Sequence, residues 1–535
     1  MNKYLSFLLE KRYLEQLPDG SSHDKLRLTD RGARFLRLLA ELEGEINTFR
    51  NEGPKNVANT DGGRIPDRPH PVGEAMKGID LEDFLGSDLE FQIPLSLIRA
   101  YSLQGQMPSE RAEIERMLSL ASALSDNSML AEAHGLKSVH LTRIGLYREA
   151  MIEGREALDI ARLANDRSRI AGAQLAIGEA CTFLGEKDEP LRHFSRALTY
   201  FEEKKDLVGQ ANATRLIAQF FLKHDDLASA LGRANRALEL FRQIGDRVGE
   251  DEALRFIGDI CCARGEYLLG LEYYERVLKI RRESGNRSRE GGALGDIGDV
   301  YLSLGEYEKS LDLHVQALAI DTGVGYRFGQ VWDIHDLGVV HFNLGNPAQA
   351  CEELRMAIRQ AKEIKVPDLI ALCDNDLSAV LRKVGGEMNL KDALQTASEA
   401  SKIGEIYSLL SNQIMGESNM AMALLLLGRR KEALDHSRKA VRLLEGSGPT
   451  DVQTEEIFFN YYLILRKNQE LDEARCYLKR AYDRMMSNAG NISDSATKET
   501  FLGRVTINRE ITSAWQEHNG LGLSFPTLRH PLDLS

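Results

Sequence analysis

The chain has 535 residues, of which 43% are hydrophobic and 28% charged, enough apolar content for a large core and too much for a disordered chain. Its 68 Lys and Arg against 81 Asp and Glu leave a formal net charge of -13, which argues against a nucleic-acid surface over the whole molecule. The longest apolar run, Ala421 to Leu427, falls far short of the roughly 18 residues of a membrane span. With no CxxC pair among six cysteines and no signal-peptide-like stretch at the start, a reducing cytoplasm is the expected compartment.

Residues 1–50 open with a short predicted helix, Tyr4 to Leu9. Two predicted strands follow, Tyr13 to Leu17 and Lys25 to Leu28, with Pro18, Asp19 and Gly20 as the turn between them. Thr29 then caps a helix whose apolar face, Phe35, Leu36, Leu38 and Leu39, continues to about Phe49. The phrase LRLTDRGARFL, Leu26 to Leu36, resembles the last strand and final helix of the winged-helix fold of prokaryotic regulators. In that family the helix before the wing enters the major groove, a role that would fall on Asn2 to Glu10. The two helices that come before it in the family have no counterpart here. The segment is therefore either a shortened module or an unrelated helix, hairpin and helix, and packing rather than DNA reading is its expected role. Residues 51–84 are expected to be a linker, because 51–78 mixes Gly, Pro, Asn and Asp with no apolar period.

From about residue 85 to about residue 488 one phrase returns every forty residues. Gly105, Gly145, Gly185, Gly265, Gly305 and Gly345 fall in register, and Asp225 fills the one gap. Five residues on stand Ala150, Pro190, Ala230, Gly270, Ser310 and Ala350, and seven further on Ala157, Ala197, Ala237, Val277, Ala317 and Ala357. Seven residues before the turn stand Ser138, Gly178, Ala218, Gly258, Gly298 and Gly338. The pattern predicts two amphipathic helices per unit, with small residues where paired backbones must approach, and a turn Gly ending the first helix. After a three-residue insertion near Gly385 and Gly386 the register resumes with Ala393, Ala400, Gly428, Ala433 and Ala440, and a degenerate last unit holds Ala474 and Ala481.

These residues resemble the tetratricopeptide repeat, whose signature is a small residue in the first helix, a Gly-x-Tyr turn and two Ala in the second helix. Tyr147, Tyr267 and Tyr307 match the Tyr, while Lys187, Leu227 and Pro347 depart from it. The forty-residue length and the missing closing Pro are similar to the longer subtype found in bacterial signalling proteins and kinesin light chain. The resemblance implies an all-α superhelical solenoid of about ten helix pairs, each touching only its neighbours, behind a small α+β winged-helix-like segment. Within 489–518, Lys498 to His518 is expected to form one capping helix that buries Phe501, Leu502, Val505, Ile511 and Trp515. That phrase is similar to the terminal segment of STAND-type signalling ATPases, but the chain has no GxxxxGK[ST] loop. Residues 519–535 read as a tail.

No catalytic constellation emerges, so an enzyme is not expected, nor a cofactor or metal. His335 and His341 do not share a helical face, no HExxH occurs, and the twelve histidines are expected singly on surfaces. The family resemblance implies that first helices line a concave groove, in which one row reads Leu175, Arg215, Arg255, Gly295 and His335. One turn on, the next row reads Glu179, Gln219, Asp259, Asp299 and Val339. The candidate peptide-binding residues are Asn212, Arg215, Gln219, Arg255, Asp259, Asp296, Asp299, Trp332 and His335. Alternatively, Arg255 and Asp259, spaced i and i+4, form only an exposed ion pair. The expected function is a non-catalytic scaffold or sensor that binds a peptide or protein partner in the groove. The alternative is a DNA-binding transcriptional regulator with the repeats as sensor. Neither nucleic acid nor membrane is an expected partner of the chain in this form, and the oligomeric state stays open.

Overall fold

A computed structural model describes residues 14–16, 26–28, 89–104, 107–447 and 452–518. The expected helices at Tyr4 to Leu9 and Thr29 to Phe49, the turn at Pro18 to Gly20, the linker at 51–84, Gly105 and the tail lie outside the described residues. The chain divides into two compact units, residues 1–133 and 134–535.

In the first unit, β1 (Leu14–Gln16) and β2 (Leu26–Leu28) pair antiparallel, with Leu14 opposite Leu28 and Gln16 opposite Leu26. The two predicted strands thus pair over these residues, and the turn between them lies outside the described residues. Helices α1 (Leu89–Gln104) and α2 (Met107–Leu124) pack together, and α2 buries Ile114, Met117 and Ala121. Helix α3 (Asn127–Arg143) begins in this unit, where Asp126 accepts the Met129 backbone N–H at 2.9 Å, and runs on into the second.

In the second unit α4 (Tyr147–Leu163) completes the pair that α3 begins. The next pairs are α5 (Arg167–Phe183) with α6 (Glu189–Lys204), α7 (Leu207–Lys223) with α8 (Leu227–Ile244), and α9 (Arg247–Ala263) with α10 (Tyr267–Ser284). Then come α11 (Arg287–Ser303) with α12 (Tyr307–Val324), α13 (Arg327–Asn343) with α14 (Pro347–Ile364), and α15 (Pro367–Val384) with α16 (Glu387–Tyr407). The last are α17 (Leu410–Leu426) with α18 (Arg430–Ser447) and α19 (Thr454–Lys467) with α20 (Leu471–Gly490). With α1 and α2 this makes ten pairs among the described residues.

Local chemistry explains the breaks. Asp166, Asp206 and Asp246 cap the first helices by accepting backbone N–H groups of the first turn. At the turn inside each pair of the second unit the backbone is left-handed, and Asp225, with φ 58°, adopts the conformation that glycine holds in most other repeats. The ladder of small residues has a packing reason. A Cβ added at Gly178, Gly258, Gly298 or Gly338 would come within 2.6 to 2.9 Å of Phe194, Tyr274, His314 or Leu354, each on the partner helix of its own pair.

Most first helices of successive pairs touch one another, as α5 and α9 touch α7, α11 touches α13 and α15 touches α17, whereas successive second helices do not meet as closely. The first helices therefore lie on the inner side of the curve and form the concave face. This curvature corrects one expectation, because repeats do not touch only their neighbours. Tyr307 Oη donates to the Arg504 carbonyl at 3.3 Å across 197 residues, and Asn491 Nδ2 donates to the Arg264 carbonyl across 227. One apolar cluster joins Leu271, Tyr274 and Leu304 to Phe459, Leu478, Phe501 and Ile511.

The terminal cap also differs from expectation. It is two helices, α21 (Ser495–Gly503) and α22 (Thr506–His518), broken around Arg504. Phe501 and Ile511 are buried, while Leu502, Val505 and Trp515 are only partly so, Trp515 stacking on Tyr482 at 4.6 Å. All six cysteines are free, and among the described residues no helix is long and apolar enough to cross a membrane.

Candidate functional site

Forty-residue stacking sets equivalent side chains of the first helices side by side. On α7, Asn212, Arg215 and Gln219 are half-buried, and Arg215 lies 4.0 Å from Glu252 on α9. Arg255 on α9 lies 3.4 Å from Asp259 and 3.7 Å from Asp296 on α11, while Tyr274 Oη donates to Asp259 at 2.7 Å. The i, i+4 ion pair is present, and Asp296 extends it across the repeat boundary. Asp259 pushes the Arg255 guanidinium above its usual range against the opposing effect of burial. Burial, opposed by Arg255 and reinforced by Asp259, lifts the Asp296 carboxyl to about 6. Beneath this row, Arg281 Nε donates to buried Asp251 at 2.9 Å, and Arg289 bridges Asp251 and Glu252 at 3.2 and 2.8 Å.

Further along, the arrangement departs from the sequence reading. His335 is buried, with Nδ1 donating to Asp336 at 2.8 Å and Nε2 to Asp376 on α15 at 2.7 Å. Burial alone would lower its pKa, but the two carboxylates outweigh burial and carry it up to about 10. His335 is thus a charged strut between two repeats rather than an open contact residue. Trp332 is half-buried and meets His335 edge to face at 6.0 Å and Phe328 at 6.5 Å.

His314, on the second helix α12, was not among the candidate residues. It occupies the place that Phe194, Tyr274 and Leu354 take in other pairs, beneath Gly298, and its side chain is 0% exposed. Nε2 stands 3.6 Å from Asp299 and Nδ1 3.7 Å from Asp336, and neither nitrogen makes a hydrogen bond. The expectation of histidines singly on surfaces is therefore wrong for His140, His314 and His335, all buried. A polar residue in an otherwise apolar row was the available signal, but the spacing of first-helix rows gives no reason to look at second helices. Burial holds His314 below its usual pKa, so the imidazole is neutral. Asp299 keeps 57% of its side chain open to water, beside the carboxylates of Asp296 and Asp336.

Tetratricopeptide-repeat family models match residues 250–322 and, in two pieces, 335–356 and 416–439. No curated protein sequence matches the chain. Similar solved structures include a Rap protein complexed with Competence and Sporulation Factor, at 14% identity and TM-score 0.47, covering 68% of this chain and 100% of that one. The apo form of the quorum sensor NprR from B. thuringiensis is 15% identical at TM-score 0.45, again covering 68% and 100%. A signal transduction ATPase with numerous domains and a tetratricopeptide-repeat sensor, from Pyrococcus horikoshii, is 17% identical at TM-score 0.41, covering 75% of this chain and 60% of that one.

Proposed function

We propose that this tetratricopeptide-repeat protein is a non-catalytic, cytoplasmic interaction scaffold or sensor, and that a peptide or protein segment lies along its concave face. One observation supports the reading above others. The inner helices carry a continuous polar row, from Arg215 through Glu252, Arg255, Asp259, Asp296 and Asp299, in which Arg255 and Asp299 remain 40% and 57% open to water. A helix that served only to stack would need solubility there, not cross-repeat charge bridges. Carboxylates outnumber cations on this stretch, so the partner segment brings basic side chains. Trp332 offers an aromatic anchor beside the row.

The test begins with peptides selected from a random display library on the intact protein. Their affinities are then measured by fluorescence anisotropy against a variant with Arg255→Ala, Asp299→Ala and Trp332→Ala. The variant should melt within a few degrees of the parent and bind at least about tenfold more weakly, equivalent to about 1.4 kcal/mol. A control, Arg236→Ala on the second helix α8, should bind as the parent does. Unchanged affinity in the triple variant would place the binding face elsewhere.

A further inference from the structure

We propose that Asp299, His314 and Asp336 form a binding site for a divalent transition-metal cation of the zinc class, opening onto the concave face. The ligand atoms that the three residues offer all lie within 4.8 Å of one another. The arrangement has a built-in comparison one repeat earlier. There Tyr274 stands at the place of His314 and Asp259 at that of Asp299, and the two are joined by a direct 2.7 Å hydrogen bond. In the later repeat the equivalent separation opens to 3.6 Å, with the second nitrogen 3.7 Å from Asp336. A fully buried imidazole thus faces two carboxylates and is bonded to neither, which is costly unless another group completes it.

A cation satisfies one of the two nitrogens, since an imidazole offers a metal only one lone pair at a time. Ligand atoms about 2.0 to 2.2 Å from zinc in a tetrahedral arrangement stand roughly 3.4 Å apart, close to the 3.6 Å from Nε2 to Asp299, and the three ligand atoms lie within 4.8 Å of one another. The cation would also offset the repulsion among the neighbouring carboxylates of Asp296, Asp299 and Asp336. Neither His314 nitrogen is taken up in a hydrogen bond, so a lone pair is free to bind a metal. One imidazole nitrogen with carboxylate oxygens suits zinc, manganese or cobalt better than the all-oxygen preference of calcium or magnesium. Asp336 is held in place from behind, since its other oxygen accepts from His335, which Asp376 anchors in turn. Water reaches the site from the Asp299 side, so a bound metal keeps coordination positions free toward the groove.

The full chain, stripped with chelator and dialysed, is titrated with Zn2+ by calorimetry and with Co2+ by visible absorption, which reports coordination geometry. One equivalent of each metal should bind, with visible cobalt bands. His314→Phe is the main variant, because Phe194 already fills the equivalent space beneath Gly178, and circular dichroism checks its fold. Zn2+ binding should weaken about 100-fold in His314→Phe and at least about tenfold in Asp299→Asn. Failure of the parent protein to bind one equivalent, or a His314→Phe variant that binds as the parent does, would overturn the proposal.

Discussion

Glu417 on α17 is a buried carboxylate that three different side chains hold by hydrogen bonds. Its side chain is 3% exposed, Ser401 Oγ donates to it at 2.7 Å from the preceding pair, and His436 Nδ1 and Lys439 Nζ donate at 2.7 and 2.9 Å from α18. Burial opposes ionisation, but the three donors overcome it and lower the carboxyl from 4.5 to about 2. The folded pKa lies below the unfolded one, so the stabilisation is fully present above about pH 4.5 and fades as pH falls toward 2. The linkage relation makes this worth about 3 kcal/mol at pH 7, still about 3 at pH 5, and only about 1.4 at pH 3.

Glu417→Gln retains the shape and one acceptor oxygen but abolishes this titration. Lys439 and His436 are 45% and 32% exposed and can turn to water, so the loss should not exceed the linkage figure. Urea unfolding followed by circular dichroism should show the variant about 2 to 3 kcal/mol less stable at pH 7 and 5, with the gap at least halved at pH 3. Because repeat arrays can unfold in steps, hydrogen exchange of α16 to α18 should report the same difference locally. A gap below about 0.5 kcal/mol at pH 7, or one that stays constant down to pH 3, would refute the assignment of the stabilisation to this carboxylate.

Phe501→Ala should cost about 3 to 5 kcal/mol locally and, since Tyr267 and Phe501 rings lie 6.0 Å apart, it should speed amide exchange in the distant helix α10; unchanged exchange there would show that the returning contact contributes nothing. Asp251→Ala, which strands buried Arg281, should destabilise by about 3 to 5 kcal/mol, and the double variant Asp251→Leu with Arg281→Met should recover most of this in the same urea assay.

How much of this was legible in the chain follows from the range of each interaction. The forty-residue register, the left-handed turn at Asp225 and the ladder from Gly178 to Gly338 are local properties. Each is set within one helix pair, where a small residue must face the large side chain opposite it, so the residue pattern alone determined ten pairs and the row containing Arg215, Arg255 and His335. What those rows do was decided by the next repeat. His335 becomes a charged strut only because Asp376 reaches it from α15, and His314 reaches Asp299 on the first helix only because Gly298 leaves room for its ring between the two helices. The contacts from Arg264 and Tyr307 to Asn491 and Arg504 lie further still from anything a single repeat encodes. They arise because each pair adds a small rotation to the one before it, and only the accumulated curvature of the stacked array brings residues about 200 positions apart into contact.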